Sequence, residues 1–358
     1  RCGCPKPNYT GKDVTAGYGW NAIFPGRSSG HGGSVYTTAF CKPETNDSQE
    51  LRTTVPQKMM TKNIRRITTA LKTLWANPLF INAYVEKSDG RVRPVNWGDD
   101  INDHFIRLLT GRDIEIYFDT PIAVALKRPN YLCIGSTLNY LTTEQTIVWG
   151  AGVIDDMLDL RETPTQVCAV RGPLTRDYLL ARGIDCPEVY GDPALLIPYF
   201  YKPPTSKHAR SDKIGFVPHY KDQDSPILAS IGRADPELQF LDIANYGKWT
   251  DFIDRVVQCD AVFSSSLHGL IIAEAFGIPN YWISVSDDVI GAGFKFRDYF
   301  ASLGKQISDP IRLDQTFDPV AFLATPTWRP GRIDLKGLLA ACPFKIRESL
   351  RYEHPLDL

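Results

Sequence analysis

The chain has 358 residues, enough for two domains of ordinary size. It is 43% hydrophobic and 23% charged with a net charge of −1, a globular composition that argues against general electrostatic affinity for nucleic acid. No apolar run approaches the ~20 residues of a membrane-spanning helix.

Residues 1–58 are rich in Gly, Ser, Thr and Pro and show no sustained period of 2 or 3.6, which predicts a flexible or non-native leader. The native start is then expected at Met59 or Met60. Over 59–77, Ile64, Ile67, Leu71, Leu74 and Trp75 share one helical face, with Lys62, Arg65, Arg66 and Lys72 around them. Two readings of this basic helix stay open: peripheral contact with an anionic membrane surface, or packing on the next domain with its charges solvated.

From Pro78 the pattern becomes α/β. Strands are predicted at 80–85, 131–136, 146–152 and 166–171, with helices at 100–109 and 173–182. Residues 188–193 read as a short strand and turn. The polar, Pro-containing stretch 202–212 reads as a linker. A second α/β set follows: strands at 214–218, 240–243, 261–263 and 280–284, and a helix at 251–257. Short apolar runs alternating with helices predict parallel sheets covered on both faces. The expected plan is a first α/β domain over 78–203, a second over 204–330 and a tail or helix over 331–358 that packs back on the first. A cleft between two such sheets is a common ligand site.

The eight cysteines are scattered. Cys2 and Cys4 are too close for a zinc pair, and Cys133, Cys168 and Cys259 lie in or beside apolar runs as small core residues. A cytoplasmic, reduced protein with no metal and no cofactor is expected.

The most informative stretch is Ser264-Ser265-Ser266-Leu267-His268-Gly269, between the apolar run 261–263 and the helical run 270–276. A helix starting there turns free N–H groups and the positive end of its dipole toward the turn, which suits a phosphate or carboxylate. His268 adds a proton carrier. The bland alternative is a Ser N-cap beside a packed Leu-His pair. Other strand-end groups are Asn96, Trp97, Asp99, Asp100, Arg171, His219, Lys295 and Arg297. Asp99 or Asp100 could simply cap the helix that follows, Arg171 could pair with a structural carboxylate, and Lys295 and Arg297 could be surface charge ahead of a helix. Asn96-Trp97-Gly98 is harder to dismiss, because a turn needs no Trp.

Taken in order, Asn96-Trp97-Gly98-Asp99-Asp100, Arg171-Gly172-Pro173-Leu174-Thr175, Gly191-Asp192-Pro193, Ser266-Leu267-His268-Gly269 and the block 295–304 resemble the polysaccharide pyruvyl transferases, notably the exopolysaccharide ketal-pyruvyl transferases. The resemblance spans roughly 80 to 305 and leaves 1–58 unmatched. It implies two Rossmann-like domains in a GT-B-like arrangement. It also implies phosphoenolpyruvate as donor and a polysaccharide or lipid-linked glycan sugar as acceptor, at the inner face of a cell membrane. Many relatives carry Arg where this chain has Ser266, so a fixed cation is missing. On this resemblance the start of the 266–276 helix (Ser265, Ser266, Leu267, Gly269) and His268 hold the donor phosphate. Arg171 clamps an anionic group, Asp99 or Asp100 takes the hydroxyl proton, and Asn96 and Trp97 hold the acceptor sugar. His219, Lys295 and Arg297 are further donor contacts. The group that protonates the donor's C3 stays open. Two alternatives stand beside it: a nucleotide-sugar glycosyltransferase, with Glu274 on the ribose, and a non-catalytic glycan-binding module.

Overall fold

A computed structural model describes residues 76–204, 213–234, 238–285, 290–325 and 327–347. The leader over 1–58, the basic helix over 59–77 except its last two positions, most of the linker and the tail beyond 347 lie outside the described residues. Among the described residues no helix is long and apolar enough to cross a membrane.

The fold is α/β with two five-stranded parallel sheets. The first contains β1 (Leu79–Ile81), β4 (Ile114–Ile116), β5 (Asn130–Leu132), β6 (Thr146–Trp149) and β7 (Gln166–Ala169) in the spatial order β4-β1-β5-β6-β7. A small antiparallel hairpin, β2 (Lys87–Ser88) and β3 (Arg91–Val92), follows β1. The second sheet contains β8 (Ile214–Val217), β9 (Leu238–Phe240), β10 (Ala261–Ser264), β11 (Asn280–Ser284) and β12 (Ile311–Arg312) in the order β12-β11-β10-β8-β9. Counted along the chain, each sheet has the same winding: second strand, first, third, fourth, fifth. Such a sheet reverses direction between its first and third strands, which puts helices on both faces and opens a crevice at the carboxyl ends of those two strands. The crevice lies between β1 and β5 in the first sheet and between β8 and β10 in the second.

The central strands form because their runs are apolar on both faces. Every residue of β8, β10 and β11 is buried, as parallel strands covered on both sides require. Several runs end earlier than their hydrophobicity predicts. Cys133 and Ile134 are buried in the loop after β5 rather than in the strand. The strand expected at 188–193 is a single bridge between Val170 and Tyr190, and the one expected at 240–243 lies at Leu238–Phe240.

Three helices position the functional groups. α1 (Trp97–Thr110) starts at Asn96 and ends at Gly111, whose left-handed φ of 67° stops it. α8 (Leu267–Ala275) follows β10 and is apolar all round, with Leu267 through Ala273 buried, so it sits in the core. α9 (Phe294–Ser302) follows the second sheet's fourth strand. Between them in sequence lie α2 (Pro121–Ala125), α3 (Leu138–Leu141), α4 (Pro173–Leu180), α5 (Ile197–Phe200), α6 (Pro226–Ala234) and α7 (Trp249–Val256). After α9 come α10 (Pro319–Leu323) and α11 (Leu335–Ala340).

Buried residues of both sheets share one apolar cluster, including Trp97, Leu195, Phe252, Leu270 and Trp282. The segment after β12 closes over it. The buried Glu274 carboxylate on α8 accepts from Lys305 Nζ (2.6 Å), Asn280 Nδ2 (2.8 Å), Trp328 Nε1 (3.2 Å) and Gly331 N (2.5 Å). Residues 335–347 then return to the first sheet. Trp149 Nε1 donates to Leu338 O (2.9 Å), Phe344 packs against Tyr131 and Trp149, and Arg347 N donates to Leu109 O (2.9 Å).

Candidate active site

The turn between β10 and α8 is built by its serines. Ser264 Oγ accepts from Ser266 N (3.0 Å). Ser265 Oγ donates to Asp222 Oδ2 (2.7 Å) and accepts from His219 N (2.8 Å), tying the ends of β8 and β10 together at the second crevice. Ser266 is the N-cap residue of α8, yet its side chain bonds none of the first amides. The helix start therefore keeps its dipole and donors uncovered by a side-chain cap. Gly269 is required by packing: a Cβ there would lie 2.4 Å from Ser264 Oγ and 2.8 Å from Val217.

His268 projects from this turn onto the first half of the molecule. Its ring lies over Gly98 in the first turn of α1, so close that a Cβ on Gly98 would stand 2.0 Å from Nδ1. Nε2 is 4.0 Å from Asp192 Oδ2 and has no hydrogen-bond partner among the described residues. Burial, then the charges of Lys295 and Arg171, push the imidazole pKa down to about 3. Asp192 is fully buried and accepts from Ala194 N (2.9 Å) and Gly135 N (3.4 Å). Burial pushes its carboxyl up to about 6, against the opposing pull of these amides and of Arg171.

Gly98→Ala is a direct probe of this contact. Alanine is the better helix former, so α1 itself is not weakened, while the ring must move off its position. Misplacing a reacting group by about 1 Å can cost ~10²-fold in rate. Turnover is expected to fall by about that factor, overpacking the buried ring should cost about 1–3 kcal/mol of stability, and Gly98→Ala should cost little further in a His268→Ala background, where the ring is gone. Full activity in Gly98→Ala would show that the ring's position is unimportant.

Arg171 leaves the end of β7 and is fully buried. Nε donates to Asp298 Oδ2 on α9 (2.9 Å), Nη2 to Val153 O (2.6 Å), and Nη1 to Ser136 Oγ. Asp298 also accepts from Thr175 N (2.9 Å) and Thr175 Oγ1 (2.7 Å). The Gly150-Ala151-Gly152 turn makes room for this: a Cβ on Gly152 would lie 2.3 Å from the guanidinium carbon. Arg171 is thus a structural ion pair that also lends its charge to the site. This is the structural-carboxylate pairing left open by the sequence; the anion clamp that the resemblance implies would require the guanidinium to leave these partners.

The two aspartates divide. Asp100 is fully buried and accepts through Oδ2 from Val95 N (3.0 Å), Asn96 N (3.1 Å) and Tyr246 Oη (2.9 Å), which closes the helix start, while its Oδ1 has no partner among the described residues. Asp99 is half-buried and accepts from Asn96 Nδ2 through Oδ2 (2.8 Å). Burial and the neighbouring Asp100 push its carboxyl up to about 7, a range suited to proton transfer. Asn96 itself caps α1, its Oδ1 accepting from Gly98 N (3.2 Å).

Trp97 does not stack on a sugar. It is fully buried, lies 4.9 Å from Phe252 and donates Nε1 to Trp249 O (2.8 Å), so it is a plug between α1 and the second half of the chain. Leu267 is core. Lys295 and Arg297 stand in the first turn of α9 rather than ahead of it. Arg297 Nη1 donates to Ala292 O (2.6 Å). His219 is half-buried, lies against Tyr220 with the rings tilted by 38°, and is pushed down to about 3 by burial and by Lys295 and Lys221. Sequence reasoning gave no role to Ser136, Asp192, Asp222, Tyr246 or Asp298. Asp192 carried a signal as the middle of Gly191-Asp192-Pro193, Asp298 lay within the block 295–304, and Ser136 stood at a strand end.

Residues 96–287, over half of the chain, match the polysaccharide pyruvyl transferase family. The chain belongs to this family. The matched range holds α1, Arg171, Asp192 and His268, and ends just before α9. Two curated relatives are similar to this pyruvyl transferase family member. An uncharacterized protein, L143, of Acanthamoeba polyphaga mimivirus is 26% identical over 60% of this chain and 72% of its own length. Succinoglycan biosynthesis protein ExoV of Rhizobium meliloti is 29% identical over 58% of this chain, and the match spans 62% of ExoV. No solved structure matches.

Proposed function

We propose that the protein transfers a pyruvyl group from phosphoenolpyruvate to hydroxyls of a polysaccharide or lipid-linked glycan sugar. The place of ExoV in succinoglycan biosynthesis supports a polysaccharide acceptor. The two sheets are taken to form a GT-B-like pair with the substrates between their carboxyl ends. The observation that carries this reading is the seating of His268, from the second half, on the first turn of α1 from the first. Asp99, Asp192 and Lys295 belong to the same electrostatic neighbourhood.

A proton adds to C3 of the enol, making C2 electrophilic; one sugar hydroxyl bonds to C2 and loses its proton. The C2–O bond to phosphate breaks, and a second hydroxyl, also losing its proton, closes the ketal. Of the two protons lost, one replaces that used at C3 and the other leaves with phosphate. His268 serves the phosphate and can protonate it as it leaves, and Asp99 accepts a hydroxyl proton.

Release of inorganic phosphate from phosphoenolpyruvate, measured with and without a panel of lipid-linked and aryl glycosides, tests the proposal. Acceptor-dependent release with the mass gain of a pyruvate ketal on the sugar is expected. Stabilisation by a nucleotide but not by phosphoenolpyruvate would replace it with a glycosyltransferase. That alternative needs Glu274 for a ribose, and this carboxylate is already held by Lys305, Asn280, Trp328 and Gly331.

A further inference from the structure

Gly191-Asp192-Pro193 is fixed by several neighbours. Gly191 has a φ of 132°, which favours glycine, and a Cβ there would lie 2.8 Å from Leu338 of the closing segment. Pro193 packs on the turn after β6, so tightly that a Cβ on Gly150 would stand 2.2 Å from its Cδ. Ala194, Leu195 and Leu196 follow in one turn of 3-10 helix and share an apolar cluster with Leu267, Leu270 and Ile271 of α8. Asp192 is thereby anchored to the first sheet, to the closing segment and to the helix that carries His268.

The two oxygens of this fully buried carboxylate do different things. Oδ1 caps the turn, accepting from Ala194 N (2.9 Å). Oδ2 accepts a long bond from Gly135 N (3.4 Å) and stands 4.0 Å from His268 Nε2. A cap alone has no use for that second oxygen. Nε2 is buried with no hydrogen-bond partner among the described residues, and the gap to Oδ2 is about 1 Å longer than a charge-assisted hydrogen bond. The ring's other nitrogen, Nδ1, lies over Gly98 in α1.

We propose that Asp192 is the positioning residue of His268: its Oδ2 accepts from Nε2 when the donor's arrival charges the ring, which leaves Nδ1 as the nitrogen that addresses the phosphate. This rests on the phosphoenolpyruvate reading above. A doubly protonated imidazole needs an acceptor at each nitrogen. The phosphate supplies one and Asp192 the other. The added proton comes from solvent; once Nδ1 has passed its proton to the departing phosphate, the ring is neutral again with Nε2–H still on Asp192. The charged and titratable groups facing the pair are Lys295 and Arg171 toward His268, Arg171, Cys133 and Tyr299 toward Asp192, and Asp99 beside Gly98 in α1. Both cations oppose protonation of the ring, so a carboxylate closing on Nε2 is the protein's means of favouring it. With its carboxyl pushed up to about 6 by burial, Asp192 is ionised at pH 7 and can do so.

The test is steady-state kinetics of the full chain with phosphoenolpyruvate and a glycoside acceptor, comparing wild type with Asp192→Asn. Asparagine can still cap Ala194 but carries no charge. Its kcat/KM is expected to fall about tenfold to a hundredfold, the range for one hydrogen bond to a charged group. In a His268→Ala background the same change should add little. A pH series adds a readout that a packing role would not move. The ratio of wild-type to variant kcat/KM should shrink toward one as the pH falls through about 6, because a protonated Asp192 has no charge left to lose. Taking the ratio cancels the ionisation of the substrate and of Asp99. Asp192→Ser, which also caps, serves if the asparagine variant misfolds. Equal kcat/KM in wild type and a folded variant, or a ratio constant with pH, would remove Asp192 from this role and leave the donor reading standing. A wild type that neither binds phosphoenolpyruvate nor releases phosphate from it would overturn the donor reading and the role of Asp192 with it.

Discussion

His268→Ala is expected to lose at least ~10²-fold in turnover, the lower end of what a positioned acid or base contributes. That corresponds to ~2.7 kcal/mol of transition-state stabilisation. The fold should survive, since alanine favours the helix and Nε2 has no hydrogen bond in the described structure to lose. The imidazole is neutral in the free protein at pH 7, because burial, Lys295 and Arg171 hold its pKa at about 3. To act as an acid it must first gain a proton, and an arriving dianion favours that gain. Donor binding by the wild type should therefore take up a proton, visible as a dependence of binding heat on the buffer's ionisation enthalpy. The variant should lose that uptake along with its turnover. Near-normal turnover in a folded His268→Ala protein would remove the residue from the mechanism.

Asp298→Ala should cause the largest loss of stability. Its carboxylate accepts from Arg171 Nε, Thr175 N and Thr175 Oγ1 with both ion-pair partners fully buried. Removing it leaves a buried guanidinium without its ion-pair partner, and breaking a buried pair from one side costs about 3–5 kcal/mol. Against a typical total of about 5–15 kcal/mol, that is a large share. Urea denaturation should show a correspondingly lower midpoint. The double variant Arg171→Met, Asp298→Leu should recover part of it, since no charge is then stranded. A midpoint unchanged in Asp298→Ala would mean that Arg171 finds another partner or that water reaches it.

The sheets were legible because parallel strands covered on both sides read as apolar runs, and 280–284 matches β11 to the residue. Ends were less legible: the run 131–136 overshoots β5 because Cys133 and Ile134 are buried by loop packing rather than by strand pairing. The short elements β4 and β12 and the turn-length helices α2, α3 and α5 show too few periods for a pattern to form. In the site, His268 stood out because strand, turn and helix are consecutive. Trp97 misled because its partner, Phe252, is 155 positions away and nothing local announces it. Asp298 was hidden in a block read for its cations. Its significance is that it reaches across to Arg171, a property of the tertiary fold alone.

The closing segment sets an order on how the molecule can be made. Trp149 receives its indole partner from Leu338, and Leu109 its amide from Arg347. Glu274 waits for Trp328 and Gly331. On a ribosome the first sheet is finished about 160–180 residues before these ties emerge, at roughly 5–20 residues per second. During those seconds an incomplete first half must persist with the indole of Trp149 unpaired, and His268, already synthesised, rests on a helix not yet fastened. A nascent protein released before residue 328 would carry every residue of the candidate site yet lack the ties that fasten Trp149, Leu109 and Glu274 to the closing segment.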